Sequence, residues 1–313
     1  MIWRRLLAVI PLVLVVSFLV FSLTAFLPGD EAVTLAGENA SREQVEEIRQ
    51  ELDLDRPLVA RYVDWVGGAV QGDLGTSLFT KREVLSEIAS RWVVTLQLVI
   101  GSLVFALAVG VPSGIIAGRN KGGLLDRAAT LFASVGVAIP SFVVGLWLIV
   151  IFAAWLGVVP FAGYVAFSDS PVEWAKRMLL PVVALSGVMI AELTRQIRAG
   201  LVDTLETDYI RTARAKGLRE RTVVNKHALR VAVSPALSVV SVNIARSFGG
   251  AVVIEQVFAL PGLGRMTVNA IIQRDLPILQ GVIPLAVLVA VAMTLLADIA
   301  NMKLNPRLRF ESR

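Results

Sequence analysis

Residues 208–229 read DYIRTARAKGLRERTVVNKHAL, and this basic stretch lies between two long apolar stretches. From Arg195 to Arg230 the chain carries 9 Lys and Arg residues against 4 Asp and Glu residues. Connections that are rich in Lys and Arg favour the cytoplasmic side of a membrane. The stretch therefore predicts a cytoplasmic loop, and the apolar stretches on either side of it predict membrane-spanning helices.

The composition of the whole chain also indicates a membrane protein. Of its 313 residues, 56% are hydrophobic and only 18% are charged. Apolar runs of about 20 residues are long enough to cross the hydrocarbon core of a bilayer as helices. Because the chain has no cysteine and a single histidine, His227, we expect no metal site and no histidine-based catalytic centre. The net charge of +5 is concentrated in loops, which favours membrane orientation over nucleic-acid binding.

Six transmembrane helices are predicted. They are Leu6–Leu27, Val93–Gly118, Ala128–Leu156, a fourth that begins at Met178 and continues past Ala191 into the cytoplasm, Val231–Ile254 and Leu276–Ala297. The uncharged run from Ala128 to Ser168 is too long for one ordinary span, and breaks are predicted at Pro140 and at 157–160. Basic residues fall on the N-terminus, two inner loops and the C-terminal tail, so both termini are predicted to be cytoplasmic.

Residues 29–92 form a polar insertion with 13 acidic and 7 basic side chains, which favours the outer face. Within it, Ser41 and Gln44 have the spacing of a helix capping box, and Pro57 begins a series of short helices and loops. The chain is thus divided into a first transmembrane helix at 1–28, the extracytoplasmic insertion at 29–92 and a five-helix core at 93–313. The core contains the cytoplasmic loop 203–230.

Within the basic stretch, the spacing of apolar residues predicts two helices that are separated by a sharp turn. Asp208 is placed at the N-cap or in the first turn, where its charge favours the positive end of the helix dipole. Gly217 is predicted to end this helix in the left-handed conformation, and a second helix is predicted from about Glu220 to Arg230. Such a hairpin either holds anionic lipid at the inner membrane surface or docks a cytoplasmic partner, and these residues alone leave both open.

Motifs for nucleotide binding and for hydrolysis are missing from the sequence. It contains no GxxxxGK[ST] phosphate loop, no HExxH and no GxSxG. We therefore do not expect the chain to bind ATP by that route or to be an enzyme. The remaining interpretation is a membrane conduit, or one partner in a conduit.

Short motifs are distributed along nearly the whole chain. They are Leu27–Asp30, Asp55–Leu58, Gly72–Ser77, Tyr209–Leu218, His227–Arg230 with Pro235, Glu255–Phe258, Pro261–Arg265, Arg274–Asp275 and Asn305–Arg307. Their order and spacing resemble those of the dipeptide/oligopeptide/nickel family of ABC-importer permeases. The stretch 208–229 is similar to the cytoplasmic EAA-type loop of that family.

This resemblance implies an all-α, polytopic integral membrane protein with the type I ABC-importer permease fold, six transmembrane helices and cytoplasmic coupling helices. It implies the first permease of a pair, which moves di- or oligopeptides across the bacterial plasma membrane by alternating access. The implied partners are a second homologous permease, two ABC ATPase subunits, an extracytoplasmic solute-binding protein and membrane lipid. ATP and Mg²⁺ are expected on the ATPase subunits, and this chain is expected to hold no cofactor.

The resemblance also implies which residues couple the chain to the ATPase. They are Asp208, Tyr209, Arg211, Thr212, Ala213, Arg214, Ala215, Lys216, Gly217 and Leu218. In that family the loop sits in a groove of the ATPase and transmits its closure to the membrane path. Ala213, Ala215 and Gly217 would let the helix pack tightly and turn, while the charged residues would supply polar contacts. Arg211 departs from the general EAA motif, because many other ABC permeases have Glu at roughly this position.

A charge near the middle of the fifth predicted span is costly unless it has a partner or water. We expect this residue, Arg246, to line the translocation path together with Asn243 and Glu192. The alternatives are a structural pair with Glu192 or Asp298, or a position that faces the partner permease. Close helix packing is expected at Gly249–Ala251.

Residues expected at an outer gate or at the contact with the binding protein are Pro261, Gly262, Gly264 and Asp73. Glu255 lies at a span end, where helix capping or snorkelling is expected. Peptide import is the preferred function, and import of a nickel chelate or another small peptide-like solute is the alternative. Outside the importers, the alternatives are a lipid-docked channel or scaffold without an energy source, and a membrane-embedded enzyme. The enzyme would need a clustered pair of intramembrane acids or histidines, which the sequence lacks.

Overall fold

The computed structural model describes residues 2–26, 33, 41–51 and 55–304. In these ranges the chain is almost entirely helical, without strands and with one isolated bridge between Thr76 and Glu83. The all-α prediction is therefore confirmed for the described residues. The chain forms two compact units, of which the first comprises Met1–Trp92 and Met266–Val289 and the second comprises the remaining residues.

The helices are numbered here in chain order. They are α1 Ile2–Phe26, α2 Arg42–Glu51, α3 Leu58–Val70, α4 Val84–Arg119, α5 Leu124–Ala138, α6 Ser141–Leu148, α7 Pro171–Leu205, α8 Asp208–Ala215, α9 Glu220–Thr222, α10 Leu229–Ala232, α11 Ser234–Val257, α12 Leu263–Gln273 and α13 Leu276–Leu304. Two π-helical segments accompany them: Ile149–Trp155 continues α6, and Val223–Ala228 joins α9 to α10.

Four helices in the described part of the chain are long and apolar enough to cross a membrane, namely α4, α7, α11 and residues Leu276–Leu296 of α13. A further pair, α5 and α6 with its π-helical continuation, passes the same test together but is bent by 104°. The break predicted at Pro140 is confirmed, because Ile139 before it has an extended backbone, as proline requires of its predecessor. A shorter apolar helix, Val9–Ser22, lies within α1.

The predicted and observed helix boundaries differ mainly because several helices extend beyond their apolar stretch. The helices start at Val84 instead of Val93 and at Pro171 instead of Met178, and the last one ends at Leu304 instead of Ala297, whereas α11 starts later than predicted, at Ser234 instead of Val231. The added turns of α4 contain Glu87 and Arg91, which form an ion pair one turn apart. Ion pairs between side chains one turn apart stabilise a helix. The helix can therefore continue beyond the point where hydropathy alone predicts its end.

In the first unit, the polar insertion is folded onto α1 through Tyr62 of α3. The Tyr62 hydroxyl donates to the carbonyl oxygen of Leu14 at 2.9 Å and lies 2.8 Å from the Ser17 hydroxyl. The predicted capping box is confirmed, because the Ser41 N–H donates to Gln44 Oε1 at 2.9 Å and the Gln44 N–H donates to Ser41 Oγ at 3.2 Å. The described part of the insertion thus has defined local structure.

In the second unit, α4 packs closely against α7 through three glycines spaced four residues apart. A Cβ atom on the middle one, Gly114, would lie 2.8 Å from Ile197 Cβ and 2.9 Å from the Thr194 carbonyl oxygen. At Gly110 and Gly118 the nearest Cβ atoms, which belong to leucines of α7, would lie at 3.0 Å. Small residues at this spacing let two helix backbones approach closely. The α7 helix held in this way continues directly into the basic stretch.

Candidate functional site

Helix α8 is attached to its unit by one narrow apolar stripe. Ile210 and Ala213 are buried, whereas the other residues of the helix are exposed. The buried pair packs with Leu201, Val223, Val224, Ala228 and Ala232. Side chains three residues apart lie on the same face of a helix. The helix therefore rests on α7 and on the segment that follows, and it presents its remaining faces outward.

The turn after α8 has the geometry predicted from Gly217. The φ angle of Gly217 is 75°, in the left-handed region. Its N–H donates to the Arg214 carbonyl oxygen at 2.9 Å, and the Leu218 N–H donates to the Ala213 carbonyl oxygen at 3.4 Å. These two hydrogen bonds form a Schellman motif, which favours glycine at this position because it carries no Cβ.

The predicted second helix from Glu220 to Arg230 is present, but it is interrupted by a π-helical turn at Val223–Ala228. The hydrogen bonds of a π-helix join residues five apart, so Val223 and Ala228 fall on the same face. Both side chains are fully buried in the apolar cluster under α8. The sequence pattern predicted a regular α-helix, whereas the π-helical turn places both of these side chains in the one apolar cluster.

Charged side chains cover the outward surface of the coupling segment, which we define as residues 208–218. Arg211 is 71% exposed and pairs with the more exposed Asp208 at 3.1 Å. Arg214 Nη2 donates to Glu220 Oε1 at 2.7 Å, and its Nε donates to Oε2 at 3.1 Å. This hydrogen bonding lowers the pKa of Glu220 and raises the pKa of Arg214. The Glu220 carboxylate therefore stabilises the turn above its ordinary pKa, and the effect is lost as the pH falls through the lowered pKa.

Two apolar side chains stand among these charges. Tyr209 is 45% exposed and Leu218 is 40% exposed. Lys216, Thr212 and Ala215 are also exposed, so the small size of Ala215 serves no packing inside this chain. A surface with exposed aromatic and aliphatic groups among charges is suited to a protein partner.

Two ion pairs join the loop between α4 and α5, together with the first turn of α5, to the C-terminal part of α7. Lys121 Nζ lies 2.5 Å from Glu206 Oε1, and this contact lowers the pKa of Glu206. Deeper in, Arg198 Nη2 donates to the buried Asp126 at 2.7 Å, and the Gly122 N–H donates to the same carboxylate at 2.9 Å. The sequence supplied these residues only as signs of cytoplasmic orientation, because pairs 72 and 85 residues apart leave no local pattern.

Glu192, Asn243 and Arg246 lie together in the structure. Asn243 Nδ2 donates to Glu192 Oε2 at 2.6 Å and also to the Val239 carbonyl oxygen at 2.9 Å. Arg246 Nη1 lies 3.4 Å from Glu192 Oε1, a looser contact. This bears out one of the two structural pairs anticipated for Arg246. The side chain of the other anticipated partner, Asp298, lies outside the described residues.

The loop between α11 and α12 is organised by the fully buried Glu255. Its carboxylate accepts from Thr95 Oγ1 at 2.6 Å and from the Arg265 N–H at 3.0 Å, while Thr95 Oγ1 accepts from the Leu263 N–H at 2.9 Å. These N–H groups lie in the first turn of α12, so Glu255 and Thr95 cap that helix. The capping alternative for Glu255 is confirmed. Gly262 lies directly against the Glu255 carboxylate.

The other residues predicted for the outer side have mainly structural contacts. Gly264 packs against Val252, and a side chain in its place would clash with that backbone. Asp73 belongs to the first unit, where its carboxylate accepts from the Gly75 N–H at 2.8 Å and shapes a turn. Across the described residues, no group of three or more acidic or histidine side chains is placed to hold a metal ion.

Comparisons with known proteins connect this geometry to a family. The family model described as binding-protein-dependent transport system inner membrane component matches residues 110–310. A second model, which describes the N-terminal part of such membrane components, matches residues 1–99.

Among similar proteins, one from Brucella abortus (strain 2308) that is named a peptide transport system permease is 39% identical over 311 residues, or 99% of each chain. The glutathione transport system permease protein GsiC of Escherichia coli (strain K12) is 39% identical over 308 residues, or 98% of each chain. A solved inward-facing structure of the MetNI methionine ABC transporter aligns with a TM-score of 0.58 at 18% identity, covering 70% of this chain and 96% of that one. That last likeness concerns the fold alone.

Proposed function

The chain belongs to the family of binding-protein-dependent transport system inner membrane components, and we propose that it is a permease subunit of an ATP-driven peptide importer. It is a multi-pass inner-membrane protein and does not itself hydrolyse ATP, since the ATPase of this family lies on separate subunits. The observation that carries the proposal is the coupling segment, an exposed charged surface that is packed against the end of a long apolar helix.

The proposed topology has six transmembrane helices with both termini in the cytoplasm. Counting α1 and the bent pair as one span each adds two to the four long apolar helices. Residues 1–28 are then the first span, 29–92 the extracytoplasmic insertion and 93–313 the permease core with its loop 203–230. The Lys and Arg residues of the inner loops support this orientation.

The proposed role of residues 208–218 is to dock in a groove of the ATPase subunit and to transmit its closure. Three features support it: the apolar cluster under α8, the Schellman turn at Gly217 and the exposed side chains of Tyr209 and Leu218. A movement of α8 is passed on directly, because only Glu206 and Thr207 separate it from the 35-residue helix α7. The ion pairs of Lys121 and Asp126 extend the same rigid connection to the inner loop.

The proposed assembly contains a second permease, two ATPase subunits that bind ATP and Mg²⁺, and an external solute-binding protein. The loop around Pro261, Gly262 and Gly264 is proposed as an outer gate or binding-protein contact, and Asp73 is assigned to the same role. Support for a rigid loop comes from the Glu255 and Thr95 cap, which fixes the start of α12. Membrane lipid surrounds the apolar helices.

Peptides are the proposed substrate class. The relatives named for peptide and for glutathione transport match this chain over nearly its whole length. Glutathione is itself a tripeptide, so both names describe the same chemical class. Alternating access would then expose a peptide path first to the outside and then to the cytoplasm.

Co-purification of the ATPase subunits with two matched charge reversals tests the proposal. Arg211→Glu changes the outward face of α8, whereas Arg221→Glu makes the same charge change at an exposed position beyond the Gly217 turn. We expect Arg211→Glu to lower the recovery of ATPase subunits on the affinity-tagged chain at least about fivefold, by opposing charge complementarity at the interface. Recovery with Arg221→Glu should stay close to that of the unaltered chain.

Equal loss in both variants would show that general charge rather than docking of α8 decides the interaction. Failure of any ATPase subunit to purify with the unaltered chain would refute the importer itself. Membrane levels of each variant, measured in the same samples, separate lost docking from lost protein.

A further inference from the structure

Arg246 lies near the middle of α11, which the proposed topology places across the membrane. It lies 12 residues after the first residue of α11 and 11 residues before the last. At about 1.5 Å per residue, this position is roughly 17 Å from either end of the helix, against a hydrocarbon core of about 30 Å. A guanidinium at this depth is costly unless it faces water or polar groups.

The Arg246 side chain nevertheless remains 64% exposed, whereas Glu192 is 24% exposed. Its contact with Glu192 uses one guanidinium nitrogen at the long distance of 3.4 Å, and no other acceptor among the described residues binds it. The guanidinium thus retains N–H donors that no acceptor in the described part of the chain occupies. Glu192, in contrast, has a second partner, since Asn243 donates to its other oxygen at 2.6 Å.

The space around Arg246 is open along one face of α11. The exposed residues on this face follow helical spacing and are Pro235, Ser238, Val242, Arg246, Gly249 and Val253. Gly249 follows Arg246 by three residues, and a Cβ atom added there would meet nothing within 4 Å. Of the two glycines predicted to pack closely, only Gly250 does so, against Leu185. Arg246 is the charged residue of an otherwise small and apolar stripe.

We propose that Arg246 binds the C-terminal carboxylate of the peptide as it passes the middle of the membrane, and that Glu192 holds the guanidinium between transport events. This inference rests on the proposed function as a peptide importer. Arginine binds carboxylates through two parallel N–H···O hydrogen bonds, a geometry that its loose contact with Glu192 does not use.

The exchange leaves both Arg246 and Glu192 with a hydrogen-bond partner. When the peptide carboxylate takes the guanidinium, Glu192 keeps its hydrogen bond from Asn243. When the peptide leaves, Glu192 again neutralises Arg246. Because every unmodified linear peptide carries a C-terminal carboxylate, this contact recognises the class without reading side chains.

The test measures peptide binding to the complete complex in nanodiscs without the external binding protein, so that the permease alone discriminates. The probes are radiolabelled trialanine and, as competitor, trialanine with an amidated C-terminus. We expect saturable binding of trialanine and at least about tenfold weaker competition by the amide. Arg246→Gln should weaken trialanine binding to the level of the amide, and Arg246→Lys should fall between the two.

Arg195→Gln is the matched control, because it removes an exposed arginine three residues from Glu192 on α7. It should keep the preference for the free carboxylate. The inference is overturned if the unaltered complex binds no trialanine, if Arg246→Gln retains the preference or if Arg195→Gln abolishes it. It is also overturned if Arg246→Gln releases the second permease, since the guanidinium would then hold that subunit.

A separate readout tests the proposed function in the same nanodiscs. Peptide-loaded binding protein should stimulate the ATPase of the unaltered complex. Its failure to do so refutes the importer, whereas stimulation without discrimination between trialanine and its amide refutes only the role of Arg246.

Discussion

Gly217 has a positive φ, a backbone conformation that is unfavourable for residues with a Cβ atom. No other residue lies within 4 Å of where that Cβ would be. Gly122, in the inner loop, has a matching φ of 78° and equally open surroundings. Alanine at either position should therefore cost about 1–2 kcal/mol of local conformational energy. We predict that Gly217→Ala lowers peptide uptake per ATP hydrolysed several-fold in proteoliposomes, whereas Gly122→Ala does not.

The pairing of these two variants separates strain from coupling. Their shared backbone cost cancels in the comparison, so a selective loss in Gly217→Ala reports the orientation of α8. An equal ratio of uptake to hydrolysis in both variants would remove the turn from the coupling mechanism. Gly217→Pro, whose ring cannot adopt a positive φ, should show a larger loss than alanine.

The ion pair of Asp126 and Arg198 is expected to matter for stability because Asp126 is buried. Asp126 is 4% exposed on its side chain, so Arg198→Gln leaves a buried carboxylate without its charged partner. We predict a loss of about 2–3 kcal/mol in the free energy of unfolding and a fall of roughly 5 °C in the midpoint of thermal unfolding. Tryptophan fluorescence of the purified protein in detergent measures this midpoint.

Lys121→Gln provides the comparison, since it breaks an exposed ion pair at the same end of α7. Exposed pairs contribute little to stability because solvent screens both charges. The midpoint of this variant should remain near that of the unaltered chain. A similar fall in both variants would mean that burial of Asp126 does not govern the stability of the inner loop.

At the scale of elements, the α4–α7 contact requires the absence of side chains on one face of α4. The atoms nearest to a Cβ at Gly114 are Ile197 Cβ and the Thr194 carbonyl oxygen, which cannot rotate away. We predict that Gly114→Ala forces the helices apart and costs about 1–3 kcal/mol. Gly67→Ala on α3 is the control, because its Cβ meets nothing and the more helical alanine should stabilise by up to about 1 kcal/mol.

The midpoint of thermal unfolding in detergent should fall for Gly114→Ala and stay level or rise for Gly67→Ala. A stable Gly114→Ala variant would show that α4 can move away from α7 at no cost. The spacing of Gly110, Gly114 and Gly118 could have predicted a close helix contact, but the sequence does not show which helix packs against them.

The sequence predicted where a helix ends or breaks when a single residue causes it. Gly217 ends α8 because of its own backbone freedom, and Pro140 breaks the uncharged run because of its ring. The 104° size of the bend at that break and the π-helical turn at Val223–Ala228 were not predicted, since neither has a local sequence signal. Helix ends were predicted too short because Glu87 and Arg91 satisfy each other along α4.

At the scale of the molecule, the sequence predicts a side of the membrane for each segment but does not in general predict which distant residues meet. Lys and Arg counts act on each loop separately, so they need no knowledge of packing. The contact between Glu192 and Arg246 was anticipated because a charge within an apolar helix demands a partner. The pair of Asp126 and Arg198 was missed because both residues lie in segments that contain other charged residues, so neither stands out in the sequence.

The proposed orientation can be measured directly, because the chain contains no cysteine and any introduced thiol is unique. Glu43→Cys on α2 and Lys226→Cys after the coupling segment both replace exposed residues. If the insertion is outside and the loop 203–230 inside, a membrane-impermeant maleimide should label only Glu43→Cys in intact spheroplasts. After permeabilisation both variants should react, which excludes burial as the cause of protection. Labelling of Lys226→Cys in intact spheroplasts would place the coupling segment outside and leave no route by which a cytoplasmic ATPase could act on α7.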